Sequence, residues 1–147
     1  MPQHHHELVI NEVEATTKRI ERPAKPKNEP TIDEIIKNEC SVKGVDKRLV
    51  KAIIQVESKG NAGAVGDNGE SFGLMQIQPR WHSDRMERLG VTDLLDARQN
   101  VKVGVDILSE LLEEYNEEEA LTIYNAGHLT SDRSYYLRVK EVIENEN

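Results

Sequence analysis

The chain has 147 residues, a formal net charge of −8 at pH 7 and 37% hydrophobic residues. This size and composition indicate one soluble globular domain, and no apolar run approaches the roughly 20 residues that span a bilayer. We therefore expect no membrane insertion. The acidic balance argues against a nucleic-acid partner, because that binding depends on neutralising phosphates. Cys40 is the only cysteine, which excludes an internal disulfide.

Residues 1–30 are predicted to be a flexible N-terminal leader or linker, and residues 31–147 the folded domain. The first segment includes Pro23, Pro26 and Pro30 among lysine, glutamate and asparagine, a composition that resists packing. It contains no signal-peptide hydrophobic region. We interpret His4–His6 as a solvated tract, because three adjacent residues on a floppy terminus make a poor metal site.

Two helices are predicted at the start of the domain. Thr31 and Glu34 have the spacing of a capping box, and Cys40 falls on the apolar face that follows. We interpret Cys40 as a small core residue. Asp46 is placed to cap a second helix, which ends near Ser58.

Glu57 stands on the apolar face of this second helix. Ile53 lies four residues earlier and Val50 seven, so the carboxylate shares their face. Burying a charge is costly, and desolvation favours the protonated form of a carboxylate. That is the state a general acid needs near neutral pH, so Glu57 is a candidate general acid.

A glycine-rich loop follows over residues 59–73, where a small β-hairpin is predicted. Beyond it, helical patterns cover Pro79 to Leu89 and a longer segment opened by the capping-box pattern of residues 96–99. No segment shows sustained strand alternation. The predicted class is therefore mainly α.

Two more helices complete the pattern. Asn116 repeats the capping signal with Glu119, and Gly127 is placed to end that helix. Ser131 is predicted to cap the last helix, which carries Tyr135.

Three short segments carry the strongest functional signal. They are Glu57-Ser58 followed by Gly73-Leu74-Met75-Gln76, then Tyr124-Asn125-Ala126-Gly127, then Ser134-Tyr135-Tyr136. Their order and spacing resemble the lytic transglycosylase domain of the soluble-lytic-transglycosylase type, a relative of goose-type lysozyme. The resemblance covers about residues 40–143.

This resemblance implies a lysozyme-like helical fold with a substrate cleft, in which Glu57 is the catalytic acid. Asn100 matches a family asparagine with a structural role. Met75 and Gln76 are expected to line the cleft floor. The resemblance implies these substrate-binding residues: Met75, Gln76, Tyr124, Asn125 and Tyr135.

The implied activity is cleavage of the β-1,4 bond between N-acetylmuramic acid and N-acetylglucosamine in peptidoglycan, leaving 1,6-anhydro ends. Glu57 would act first as acid and then as base, so the chemistry needs neither a metal nor an organic cofactor. The expected partners are peptidoglycan glycan strands. The domain would therefore act at the cell wall.

Several alternatives stay open. Asp67 and Glu70 are either turn and rim residues or a second carboxylate, which would make the domain a hydrolytic muramidase of the goose type. A non-catalytic glycan-binding or structural module is the other alternative. Trp81 either stacks on a sugar or lies in the core, and His82 lies either near the cleft or elsewhere on the surface.

Overall fold

The computed structural model describes residues 28–146, and its helices confirm the predicted mainly α class. The helices in this range are α1 Ile32–Lys43, α2 Lys47–Ser58, α3 Pro79–Leu89, α4 Ala97–Glu114, α5 Glu117–Ala126 and α6 Ser134–Asn145. None of them is long and apolar enough to cross a bilayer. Residues 1–27, with His4–His6, lie outside the described part, so the leader remains a prediction.

Two of the predicted capping boxes are complete. At the start of α1, Glu34 N donates to Thr31 Oγ1 at 3.1 Å, and Thr31 N donates back to the Glu34 carboxylate at 2.8 Å. Asn116 and Glu119 make the same reciprocal pair at the start of α5. Each box joins residues three positions apart and satisfies backbone N–H groups that the first turn of its own helix leaves free. Helix starts of this kind can therefore be predicted from the local sequence.

The capping box predicted for α4 forms only in part. Asp96 accepts a hydrogen bond from Gln99 N at 3.0 Å, as a cap should. The Gln99 side chain does not return to Asp96. It accepts instead from the backbone N–H groups of Thr92 and Asp93, at 2.8 and 3.1 Å, and so holds the loop that leads into the helix.

The predicted cap of the last helix is wrong. α6 begins at Ser134, and the backbone N–H of Ser134 donates to Asp132 Oδ1 at 2.9 Å. This bond lowers the pKa of Asp132. Ser131 lies one residue too early for this role. The later start puts Tyr135 in the first turn of α6.

The glycine-rich loop contains the predicted hairpin. Strands β1 (Val65–Gly66) and β2 (Ser71–Phe72) pair antiparallel. A short 3₁₀ turn joins them, in which Asp67 and Asn68 adopt left-handed φ angles of 51° and 57°. Non-glycine residues seldom take this conformation, and asparagine and aspartate tolerate it best.

Helix α4 lies at the centre of the core and contacts α1, α3 and α5, while α2 packs on α1 and α6. The largest side chains without exposed surface are Ile53, Leu74, Met75, Leu108 and Leu121. Cys40 is also buried, which confirms it as a core residue, and burial raises the pKa of its thiol to about 11.

Asn100 ties the loop after the hairpin to α4. Its side-chain NH₂ donates to the carbonyls of Phe72 and Leu94 at 2.7 and 2.8 Å, and its oxygen accepts from Met75 N at 2.8 Å. Gly73 passes so close to this amide that any Cβ there would collide with it, and its φ of 79° also favours glycine. Asn100 thus holds the segment of residues 73–76 against α4.

Candidate active site

Glu57 lies in the last turn of α2 with its side chain half-buried. Tyr135 Oη, from the first turn of α6, donates a hydrogen bond to Glu57 Oε2 at 2.8 Å. The pKa of Glu57 is raised to about 7, chiefly by burial. The bond from Tyr135 acts in the lowering direction, and the negative charge of Asp67 acts in the raising direction. The positive charge of Arg138 acts in the lowering direction. Near neutral pH Glu57 therefore exists in both protonation states, as an acid–base catalyst requires.

Ser58, the residue after Glu57, fixes the end of α2. Ser58 Oγ donates to Leu74 O at 2.8 Å and is also within 3.2 Å of Ile54 O. The bond to Leu74 joins the helix end to the Gly-Leu-Met-Gln segment, sixteen residues later. The first two parts of the sequence motif are thus in direct contact.

Tyr124 reaches the same region from α5. Its hydroxyl donates to Met75 O at 2.8 Å, and burial followed by the charge of Glu57 raises its pKa well above the ordinary value. Burial, and then the charge of Glu57, also raise the pKa of Tyr135, which donates the hydrogen bond to the Glu57 carboxylate. Both phenols stay protonated donors at neutral pH.

Met75 does not line the cleft floor, which corrects the expectation from the motif. Its side chain has no exposed surface and packs against α4 at Gly104. The residue contributes through its backbone, since its carbonyl anchors Tyr124 and its N–H is held by Asn100. The sequence of this loop does not indicate whether the methionine side chain faces the core or the cleft.

Gln76 does line the cleft, in an unusual conformation. Its φ is 52°, in the left-handed region, which costs of order 1 kcal/mol for a non-glycine residue. Its Nε2 donates to Ala64 O at 3.2 Å and Gly73 O at 3.0 Å. The amide nitrogen is therefore engaged by the protein, and the backbone conformation is held by these two bonds.

The cleft has a volume of about 540 Å³ and runs between the hairpin with α3 on one side and the end of α5 on the other. Glu57 and Gln76 lie in it, and Asn125 is an exposed residue of the α5 side. Trp81 lines it with 67% of its surface exposed, so the core position considered for this residue is wrong. His82 lines it too and is half-buried.

The two acidic residues of the hairpin have different surroundings. Asp67 lines the cleft, and its Oδ2 accepts from Ser71 Oγ at 2.5 Å and from Gln78 Nε2 at 3.4 Å. Glu70 pairs with Arg80 at 2.8 Å and is not among the cleft residues. Only Asp67 is therefore placed to act together with Glu57.

Opposite substitutions around Glu57 should move its pKa in opposite directions. Asp67→Asn removes a negative charge, so the pKa of Glu57 should fall below about 7. Tyr135→Phe removes a bond that stabilises the carboxylate, so the pKa should rise, by about 0.7 for a bond worth about 1 kcal/mol. NMR titration of ¹³C-labelled glutamate measures both.

Glu70→Gln serves as the control for this titration, because Glu70 is exposed and pairs with Arg80. It should leave the Glu57 titration unchanged. A rise in the Glu57 pKa in Asp67→Asn would contradict the electrostatic account of the site.

Several residues that line the cleft have no signal for this position in the sequence: Ser71, Gln78, Arg85, Glu110 and His128. Arg138, which acts on Glu57, follows Tyr135 by three positions, so helical spacing could have found it. The five residues that line the cleft reach it through tertiary packing, which leaves no local pattern in the sequence. Within residues 28–146, no three His, Cys, Asp or Glu side chains are grouped as metal ligands would be.

Helices that surround a small hairpin and carry one protonatable carboxylate into an open cleft define a lysozyme-like domain. The sequence agrees with the Transglycosylase SLT domain family over residues 34–145. The chain belongs to this family, which confirms the resemblance seen in the motifs.

Curated relatives support the same membership. The chain is 37% identical over 84 residues to the transglycosylase of Enterobacteria phage PRD1, which covers 56% of this chain and 30% of that protein. It is 30% identical over 90 residues to the membrane-bound lytic murein transglycosylase E of Buchnera aphidicola, covering 56% of this chain and 40% of that protein. The chain thus spans less than half the length of these relatives.

A solved structure shows the same fold. It is the X-ray structure of an inactive mutant of the lytic transglycosylase Slt from Pseudomonas aeruginosa, with a TM-score of 0.57 and 20% identity. The match covers 75% of this chain and 21% of that one. At this identity the likeness is evidence for the fold.

Proposed function

We propose that this domain is a peptidoglycan lytic transglycosylase that cleaves the β-1,4 bond between N-acetylmuramic acid and N-acetylglucosamine. The observation that carries the proposal is Glu57, a half-buried carboxylate in an open cleft whose pKa is raised to about 7. The names of the relatives, transglycosylase and lytic murein transglycosylase, support the same substrate class. The proposed partners are the glycan strands of the cell wall, where the domain would act.

In the first step Glu57 acts as the general acid. Its protonated carboxyl delivers the proton to the glycosidic oxygen as the C1–O bond breaks, and positive charge develops on the N-acetylmuramic acid ring. The leaving N-acetylglucosamine departs with a new hydroxyl. The bond from Tyr135 stabilises the carboxylate that Glu57 has become.

In the second step the same carboxylate acts as the base. It removes the proton from the C6 hydroxyl of N-acetylmuramic acid while that oxygen bonds to C1, which closes the 1,6-anhydro ring. Glu57 recovers its proton, and no water is consumed. One carboxylate with a pKa near the working pH suits both steps.

Mass spectrometry of digested peptidoglycan tests this proposal. Wild-type protein should release fragments with 1,6-anhydro ends, each lighter by one water than the corresponding reducing sugar. Glu57→Gln protein should release none. Fragments with reducing ends would overturn the transglycosylase assignment in favour of hydrolysis, and wall binding with no cleavage at any pH would indicate a non-catalytic module.

Hydrolysis is the second candidate, and the position of Asp67 is the observation that favours it. Inverting glycosidases hold a water between two carboxylates about 6.5–9.5 Å apart. Ser71 and Gln78 both donate to Asp67 Oδ2. Among residues 28–146 these are the hydrogen bonds to the Asp67 carboxylate, so Oδ1 can accept a hydrogen bond from such a water. Asp67→Asn distinguishes the two candidate reactions. If the domain is a hydrolase, its rate should fall at least about 100-fold. If it is a transglycosylase, the 1,6-anhydro products should persist.

A further inference from the structure

A kink in α3 brings two successive side chains onto the cleft. His82 has φ −131° and ψ 22°, outside the helical range, within an otherwise helical run. In a regular helix neighbouring side chains point about 100° apart and do not share a face. Here Trp81, His82 and Arg85 all line the cleft.

Trp81 presents an exposed aromatic face. The guanidinium of Arg80 lies 4.6 Å from the ring centroid, and Arg80 is itself held by Glu70 at 2.8 Å. One face of the indole is thus occupied by a cation–π contact, while 67% of the residue remains exposed. An exposed tryptophan in a cleft, steadied from one side, is suited to stack on an apolar ring face.

His82 presents a neutral N–H donor. Arg85 Nε donates to His82 Nδ1 at 3.4 Å, so Nδ1 is the acceptor and the ring proton belongs on Nε2. Burial lowers the pKa of His82, the charge of Arg85 lowers it further, and that of Glu110 acts in the opposite sense. The imidazole is therefore held neutral with its donor nitrogen away from Arg85.

Arg85 is locked in turn by two carboxylates. It donates to Asp106 at 2.5 Å and to Glu110 at 2.9 Å. Burial opposes the ionised form of Asp106, but hydrogen bonds from Arg88, Lys43 and Arg85 outweigh it and bring the pKa to about 2. Asp106 therefore stays charged, and Arg85 is a positioning residue for His82.

We propose that Trp81 and His82 form a subsite for an uncharged N-acetylhexosamine unit of the glycan. The pyranose ring stacks on the open face of Trp81, and His82 Nε2–H donates to a hydroxyl or acetamido oxygen. This rests on the proposed glycan substrate and extends it. The subsite lines the same cleft as Glu57, and different charges act on the two groups: Arg85 and Glu110 on His82, Asp67 and Arg138 on Glu57.

Binding of a β-1,4-linked N-acetylglucosamine hexamer tests the subsite without requiring cleavage. Trp81 is the only tryptophan, so its fluorescence reports contact directly. The hexamer should change this emission in wild type and in Glu57→Gln alike. Calorimetry should show at least tenfold weaker binding for Trp81→Ala, near-wild-type binding for Trp81→Phe, and about tenfold weaker binding for His82→Ala, as loss of a bond worth about 1.4 kcal/mol requires.

Leu137→Ala is the matched control, since Leu137 is half exposed and outside the cleft. Binding with unchanged Trp81 fluorescence, or equal affinity of Trp81→Ala and wild type, would overturn the proposal. So would ¹⁵N shifts that place the His82 proton on Nδ1. Hexamer binding that depends on Trp81, in a protein that cleaves no peptidoglycan, would reject the proposed activity and retain the subsite.

Discussion

Replacing Glu57 with glutamine is expected to abolish glycan cleavage while making the fold more stable above neutral pH. Glutamine keeps the size of the side chain but can neither deliver nor accept the proton. General acid–base catalysis by one group is worth about 10²–10⁴-fold. In the proposed mechanism Glu57 serves both steps, so the loss should be at least about 10⁴-fold. The release of soluble fragments from peptidoglycan measures it.

The gain in stability follows from the sign of the pKa change. Folding raises the pKa of Glu57 from 4.5 to about 7, so the folded state binds its proton more tightly than the unfolded state. Stability is therefore lost as pH rises between these values. Glutamine removes this penalty, and the variant should gain on the order of 1–3 kcal/mol at about pH 8 and little at about pH 4.

Urea unfolding at the two pH values measures this difference. Glu70→Gln is the matched control, because Glu70 is exposed and its pair with Arg80 lies on the surface. Its stability should change by less than about 1 kcal/mol at both pH values. A Glu57→Gln protein less stable than wild type at about pH 8 would contradict the burial of this carboxylate.

Asn100→Ala should cost at least about 2 kcal/mol of folding free energy. The substitution leaves Met75 N and Leu94 O without the partner that Asn100 supplies, and each unsatisfied buried group costs about 1–3 kcal/mol. Phe72 O also loses its bond from Asn100 but keeps the one from Ile77 N. Because these groups hold the loop beneath Gln76, glycan cleavage should fall as well. Urea unfolding and the peptidoglycan assay measure the two effects.

Two further variants sharpen this experiment. Lys102 is exposed on the same helix, so Lys102→Ala should alter the free energy of unfolding by less than about 0.5 kcal/mol. Asn100→Asp keeps the acceptor for Met75 N but points a carboxylate at two carbonyls. It should be destabilised at neutral pH and partly rescued in acid, where the protonated group can donate again. A loss below about 1 kcal/mol in Asn100→Ala would refute the role of this side chain.

Features that depend on neighbouring residues were predictable. The caps at Thr31 and Asn116 follow from spacings of three residues, and the apolar face beneath Glu57 from helical periodicity. The cap of α6 was misplaced, because Ser131 and Asp132 are both good capping residues and only the packed helix decides between them.

Contacts between distant segments were not predictable from such patterns. Tyr135 meets Glu57 across 78 positions, and Arg85 meets Asp106 across 21. The first was expected only through resemblance to a family. The second has no signature in the sequence, because it joins two different helices and no local spacing links their residues. The expectation that Met75 lines the cleft was wrong, because a loop residue belongs to no periodic pattern that would show whether its side chain is buried.

Gly104 leaves room in the core for the side chain of Met75. The sulfur of Met75 fills the space where any other residue at position 104 would place its Cβ. A larger side chain there would have to displace the end of the Met75 side chain, and the backbone carbonyl of the same residue accepts the bond from Tyr124. One missing methyl group in α4 therefore lets the segment that carries Gln76 pack closely on this helix.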